Sequence, residues 1–397
     1  MKIRRGRIDR AYLLSFVLLI TNISYIGYWI AAIRDGGNIY FSYGTSTAGV
    51  LSYMRYVDDA MFIILALMLW RNHIQKRLLY YILIGLIWGL CGLCINGRVS
   101  WILVLSGIRC FLPALALLEW YMTYEHRTLD YYAIKKCVNL IVMVQSLACI
   151  LLSIICDVYR NPGLFGNAGA LGIFCSGAVT FYFVYFTLGF DMKWREYIFY
   201  QLILLAIIVL TDSRSAMVIF FVTALWGFLI RVKLSRKQRT LLNFVCIVFV
   251  LPVAVLIANN ISVRGNIIAQ NIKGGRLQIL IRFFQQNLLS ILFGGGLGYG
   301  TNTAVTIGSA DLVVDGTINA LLYQFGIIAG GVLTYILVRA VLKITYGFPM
   351  MFRLGFAIDV FLISFNANIF EAGGYLIFIT LCFHMIISRN RISYFAS

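Results

Sequence analysis

Arginine recurs in this chain where charge is costly. Arg214 lies in Thr211-Asp212-Ser213-Arg214-Ser215-Ala216, between the apolar runs QLILLAIIVL and AMVIFFVTALWGFLI. An arginine beside such runs has to be paired, hydrated or in use, and so marks a functional position. With Arg34, Arg55, Arg98, Arg109, Arg160, Arg264, Lys273, Arg276 and Arg282, Arg214 makes up the ten basic residues that fall away from the strongly basic connections between apolar runs. A guanidinium offers phosphate or carboxylate two parallel donors in a planar fork, which an ammonium does not. A set made up mostly of arginine predicts an anion site. Contact with anionic lipid headgroups, or pairing with nearby acids, is the simpler use of any single member.

The acid best placed to act with them is Asp315, in Asp315-Gly316-Thr317-Ile318-Asn319 at the head of an apolar run. Such a carboxylate caps a helix N-terminus or accepts the proton of a substrate hydroxyl. Spacing leaves both open. Upstream lies Gly-Gly-Gly-Leu-Gly-Tyr-Gly at 294–300. No Lys-Ser/Thr follows it and no strand precedes it, so it is not a phosphate-binding P-loop. It reads as a tight turn that lets backbone approach a ligand or another helix. Asp359 and Glu371, in and just after a late apolar run, read as counter-ions for arginines or as parts of an ion path. Cys91-Gly-Leu-Cys94 has no second Cys pair and no His beside it, and is read as a pair of buried structural cysteines. His73, His126 and His384 are too scattered for a zinc cluster, so no metal or other cofactor is expected.

The elements that must carry these residues are apolar helices. Of 397 residues, 61% are hydrophobic and 12% charged, where a soluble domain carries about 25% charged residues. A bilayer core takes about 20 apolar residues in a helix. Twelve runs qualify, near residues 11–33, 57–70, 78–96, 99–121, 137–158, 165–190, 197–211, 214–231, 241–259, 317–338, 354–369 and 373–388. The N-terminal run is too long for a cleaved signal and is read as the first span. The expectation is an all-α polytopic membrane protein of about 12 transmembrane helices, forming one transmembrane domain over residues 1–397. Most of the 33 Lys and Arg fall in every second connection, which makes that side, and both termini, cytoplasmic. The net charge of +18 is thereby explained without nucleic acid. Arg214, Arg160 and Arg276 fall on the outer side, and Arg109 falls inside the fourth span. One large external loop, residues 260–316, joins helices 9 and 10. Within it a surface helix is expected near 276–290, with Leu277, Leu280, Ile281, Phe284 and Leu288 on one face.

Four blocks together resemble the O-antigen polymerase and ligase superfamily, the bacterial Wzy-type and WaaL-type membrane glycosyltransferases. They are Pro162-Gly-Leu-Phe-Gly-Asn167-Ala-Gly, Thr211-Asp-Ser-Arg214-Ser-Ala, Gly274-Gly-Arg276 with Leu292-Phe-Gly-Gly-Gly-Leu-Gly-Tyr299-Gly, and Asp315-Gly-Thr-Ile-Asn319 with the run through Gly330. They cover roughly residues 160–335 in the family's order. The ligases usually show His-Asn where this chain has Asp315-Gly316, which favours a repeat-unit polymerase.

The resemblance implies polymerisation of undecaprenyl-diphosphate-linked oligosaccharide units into O-antigen, capsule or exopolysaccharide, on the outer face of a bacterial cytoplasmic (inner) membrane. Its implied partners are that lipid-linked glycan, membrane lipid, and a chain-length regulator and flippase. Arg214 and Arg276 would hold the donor diphosphate without a metal. Arg109 and Arg160 would assist, with Asn167 from the first block. Asp315 would meet the attacking hydroxyl, Asn319 would orient it, and Tyr159 or Tyr299 would stack on sugar. An O-antigen ligase is the alternative within the superfamily. A transporter or flippase is the alternative outside it, and would show internal repeats and broken helices near the membrane midplane. No repeat between the two halves is visible.

Overall fold

The computed structural model describes residues 17–20, 26, 29–30, 56–70, 76–124, 129–155, 160–165, 168–231, 238, 241, 251–261, 276–301, 304–305, 313–371 and 373–395. Fourteen helices of six residues or more are assigned within them. They are α1 (Tyr56–Trp70), α2 (Lys76–Ile95), α3 (Trp101–Tyr124), α4 (Tyr131–Ile155), α5 (Ala168–Thr187), α6 (Trp194–Leu210) and α7 (Arg214–Arg231). They continue with α8 (Leu251–Ile261), α9 (Arg276–Phe284), α10 (Leu288–Phe293), α11 (Thr317–Phe325), α12 (Gly331–Ile344), α13 (Met350–Asn366) and α14 (Gly373–Phe395). Several starts are set by side chains that satisfy otherwise orphaned amides. Asp130 Oδ1 accepts from Ala133 N at 3.0 Å to open α4. Asn287 Oδ1 accepts from Ser290 N at 2.7 Å to open α10.

The core is built around α5. Its Phe174, Phe181, Tyr182, Phe183 and Phe186 are all fully buried, so the helix is apolar on every side because every side is covered. Helices α7 and α14 pack directly on it, and α13 closes over α7. Phe174 and Phe181 meet Phe378 of α14 at ring-centroid distances of 5.5 and 6.0 Å. Phe183 stacks on Phe352 of α13 at 5.7 Å. Glycines let these helices approach. A Cβ on Gly177 would press into Phe378, and one on Gly355 into Trp226.

The all-α class is observed; the twelve-span architecture is not. Among the described residues, four helical stretches are long and apolar enough to cross a membrane: Trp101–Met122, Tyr131–Ile155, Ala168–Thr187 and Thr317–Ile344. Other runs read as spans are shorter helices, such as α1 with 15 residues, α6 with 17 and α13 with 17. These fall short of the ~20 residues a bilayer core takes. The physical reason for the error is that hydropathy treats a lipid-facing residue and a protein-buried one alike. Phe356 of α13 and Leu204 of α6 are apolar because they are buried in the bundle. The four long helices are consistent with membrane association. Outward-facing Leu140, Leu147 and Ile154 on α4, and Val332, Tyr335 and Ile336 on α12, expose apolar surface that water does not favour.

The expected surface helix near 276–290 is two helices, broken at Gln285–Asn287. Ile279 and Phe283 form its inward face, while Leu277, Ile281, Phe284 and Leu288 are exposed. The Tyr323 hydroxyl ties α9 to α11 by donating to Ile279 O at 2.8 Å. The cysteines divide likewise. Cys110, Cys149, Cys175 and Cys382 are buried, but Cys91 and Cys94 face outward on α2.

Candidate functional site

Helix α6 ends in a turn that at once starts α7. Asp212 N donates to Val209 O at 3.0 Å and Ser213 N to Ile208 O at 3.5 Å. These bonds form a Schellman cap, which requires a left-handed residue after the helix end. That residue is normally glycine. Here it is Asp212, with φ 47°, the one non-glycine positive φ among the described residues. Short polar side chains tolerate this backbone better than others do. Ser213 O then accepts from Met217 N at 2.9 Å in the first turn of α7. Arg214 therefore projects from the first residue of α7, half-buried and engaged by neighbours.

Arg160 comes to the same turn. Its Nε donates to Thr211 O at 3.3 Å, a carbonyl left without a helical partner by the end of α6. The segment that carries it is firmly held. Asn161 N donates to Leu210 O at 3.0 Å, and Asn161 Nδ2 reaches Cys149 O at 2.7 Å and Ser153 Oγ at 2.8 Å. Leu164 N donates to Gln145 Oε1 at 3.1 Å. The Arg160 side chain thus reaches the turn that holds Asp212, which is 5% exposed, and from which the Arg214 backbone starts α7. Asp212 Oδ2 has no hydrogen-bond partner among the described residues. On the other side of the turn, Gly172 of α5 leaves room for Ser213 Oγ, which a Cβ there would overlap.

Asp315 is exposed. Helix α11 starts from Gly316, φ 89°, and no side chain caps it, so the Asp315 carboxylate does not serve as a cap. Asn319 Nδ2 turns back to donate to Asp315 O at 3.2 Å. The segment is anchored by Val314 N to Gly300 O at 2.9 Å and by Thr317 Oγ1 to Ala367 O at 2.9 Å. The backbone around the carboxylate is therefore fixed while the carboxylate itself stays outward.

The glycine segment 294–300 turns tightly and brings its backbone against other helices. It is wedged between α2, α3 and α11. Gly294, Gly296, Gly298 and Gly300 all have positive φ. Gly295 N donates to Tyr323 O at 2.7 Å, Gly296 N to Gln324 O at 3.2 Å and Leu297 N to Gly89 O at 3.1 Å. Trp88 Nε1 donates to Phe325 O at 3.0 Å. The Gly295, Gly296 and Trp88 donors take carbonyls at the end of α11, where it breaks into the π-turn Gly326–Gly330 before α12, while Leu297 ties the segment to α2. At the rim, the Arg98 guanidinium lies 4.2 Å over the Tyr299 ring, and Tyr299 stacks on Tyr323 at 6.5 Å.

Among the residues expected from sequence, Arg160 is bonded to the turn from which Arg214 starts α7, and Asn319 is bonded to the Asp315 backbone. Tyr299 is paired with Arg98. Arg109 is held elsewhere: its Nε meets Asp59 Oδ1 at 3.0 Å and Oδ2 at 2.9 Å. Arg276 opens α9, but its side chain, like all of Asn167 and Tyr159, lies outside the described residues. Asp212 and Asp59 take positions that no motif in the sequence assigns them. The signal for Asp212 was present, an Asx residue directly after an apolar run, where a left-handed cap is common. Asp59 gave none, because its partner is 50 residues away. His384 is structural, its Nδ1 within 2.7 Å of Tyr131 Oη. Asp359 meets threonine hydroxyls rather than an arginine. Among the described residues, no three His, Cys, Asp or Glu side chains converge as a metal site would need.

The molecule is an all-α helical bundle with four stretches of membrane-crossing length among the described residues. No family model, curated protein or solved structure matches the chain.

Proposed function

We propose that the chain is a membrane glycosyltransferase of bacterial origin that polymerises lipid-diphosphate-linked oligosaccharide units, working at the outer face of the cytoplasmic membrane. The observation that carries this reading is the shared turn of Arg160 and Arg214. An arginine bonded into the turn and a second at the first residue of the next helix suit a diphosphate, since backbone amides and arginines all offer protons to anionic oxygens. In the reaction, a hydroxyl of one lipid-linked unit attacks the anomeric carbon of another. The bond to phosphate breaks, and the diphosphate leaves with a charge that the arginines stabilise. Asp315, exposed above an anchored backbone, accepts the hydroxyl's proton. Arg98 and Tyr299 form a flat, polar-edged platform that suits a sugar ring. Undecaprenyl diphosphate is the proposed carrier, and a flippase and chain-length regulator the proposed partners. Transfer of finished chain to another acceptor is the second reading on the same residues. The break between α11 and α12 is what a transporter would use, but its freed carbonyls are taken by Trp88 and the glycine segment.

The test is chain elongation by the purified protein on lipid-linked single units. Arg160→Lys, Arg214→Lys and Asp315→Asn should each slow elongation at least tenfold, and chelator should not. Wild-type rates in all three well-folded variants would sink the assignment; loss with chelator would sink its metal-free chemistry.

A further inference from the structure

The clearest unassigned group in the interior is Asp359 of α13, which is 0% exposed. Its Oδ1 accepts from Thr223 Oγ1 of α7 at 3.1 Å. Its Oδ2 is hydrogen-bonded to Thr180 Oγ1 of α5. Thr180 Oγ1 also donates to Ser176 O at 2.9 Å. A hydroxyl has one proton, and a peptide carbonyl can only accept. With an ionised Asp359, two acceptors would compete for the single Thr180 proton. With a protonated one, every bond is made: Asp359 Oδ2 donates to Thr180, Thr180 to Ser176 O, and Thr223 to Asp359 Oδ1.

Charge points the same way. Among the described residues, the groups coupled electrostatically to Asp359 are Tyr197 of α6 and Tyr375 and Cys382 of α14, none of them a cation. On α5 and α7 the facing groups are the two threonine hydroxyls. The basic residue nearest in sequence on its own helix, Arg353, holds its guanidinium 5.5 Å over the Tyr346 ring. An unpaired carboxylate in such a place is too costly to keep.

We propose that Asp359 is a buried proton-binding site, occupied in the folded protein, that joins α5, α7 and α13 through one hydroxyl-linked proton. The sign of its pH dependence follows. A folded state that binds a proton which the unfolded chain releases above about pH 4, the ordinary aspartate range, loses stability as pH rises. Thr223 lies on α7, the helix that Arg214 opens. On α5, Gly172, Ser176 and Thr180 form one row at helical spacing, so loosening it would reach the arginine turn.

The experiment is thermal melting of the full-length protein in detergent from pH 5 to pH 9. The wild-type melting temperature should fall with pH by at least ~4 °C more than that of Asp359→Asn, whose amide keeps the shape without the titration. Parallel curves overturn the proposal. Infrared spectra of the wild type at pH 7 should contain a protonated-carboxyl band that Thr180→Val shifts; this reading stands even if the Asn variant fails to fold, and absence of the band overturns the proposal. Sodium-specific stabilisation over potassium would overturn it too, by naming a metal cation as the occupant.

Discussion

Arg160 donates to the backbone carbonyl of Thr211 at 3.3 Å, across 51 positions of sequence. The bond ties the loop before α5 to the turn that launches Arg214. If both guanidinium groups hold one diphosphate, their losses are coupled. Arg160→Lys and Arg214→Lys should each lower the elongation rate at least tenfold, about 1.4 kcal/mol or more. The double variant should lose less than the product of the two, because residues that share a partner are non-additive by about 0.5–3 kcal/mol. Rates that simply multiply would place the arginines at separate tasks.

Asp212 occupies a backbone position that glycine fills without strain. It also buries a carboxylate oxygen with no partner among the described residues. Asp212→Gly removes both costs and should stabilise by about 1 kcal/mol, read as a rise in melting temperature. If activity falls while stability rises, the aspartate is kept for the site. A lower melting temperature would contradict the strained reading.

Gly172 makes space for Ser213. Gly172→Ala should push the turn outward, costing about 1–3 kcal/mol and lowering activity with it. Gly172→Ala combined with Ser213→Gly should regain most of the stability, since the overlapping hydroxyl is gone. A double variant no better than the single would mean that the clash lies elsewhere.

Gly298 combines a φ of +81° with a position where a Cβ would overlap the Leu103 carbonyl of α3. Backbone cannot retreat as a side chain can. Gly298→Ala should therefore destabilise by about 3 kcal/mol or more. Gly85→Ala, in α2 with nothing within 4 Å of the added carbon, should stabilise by about 0.5–1 kcal/mol. Equal melting temperatures for the two would disprove the wedge role of the glycine segment.

The helical class and its apolar character were legible in the chain because composition and run length are local properties. So was the helix boundary within the Thr211–Ala216 segment, where charge interrupts two apolar runs. The inward face of α9 was not. Periodicity picked Leu277, Ile281 and Phe284 as one face, and the structure buries Ile279 and Phe283 instead, because Tyr323 and Val314 wait on that side. Arg109 likewise looked available until Asp59 of α1 was brought beside it.

By itself, the sequence determined that the chain would be helical, that its arginines would be costly, and that Asp212-Ser213-Arg214 would mark a boundary between two helices. Tertiary structure alone decided which apolar helices are core and which are long enough to cross a membrane. It also decided that Arg160 reaches the turn before Arg214, that the glycine segment is buried, and that Asp359 meets hydroxyls instead of arginine. The reason is physical. Helix formation follows from neighbours a few residues apart, whereas burial and pairing depend on surfaces that meet only once the helices have packed.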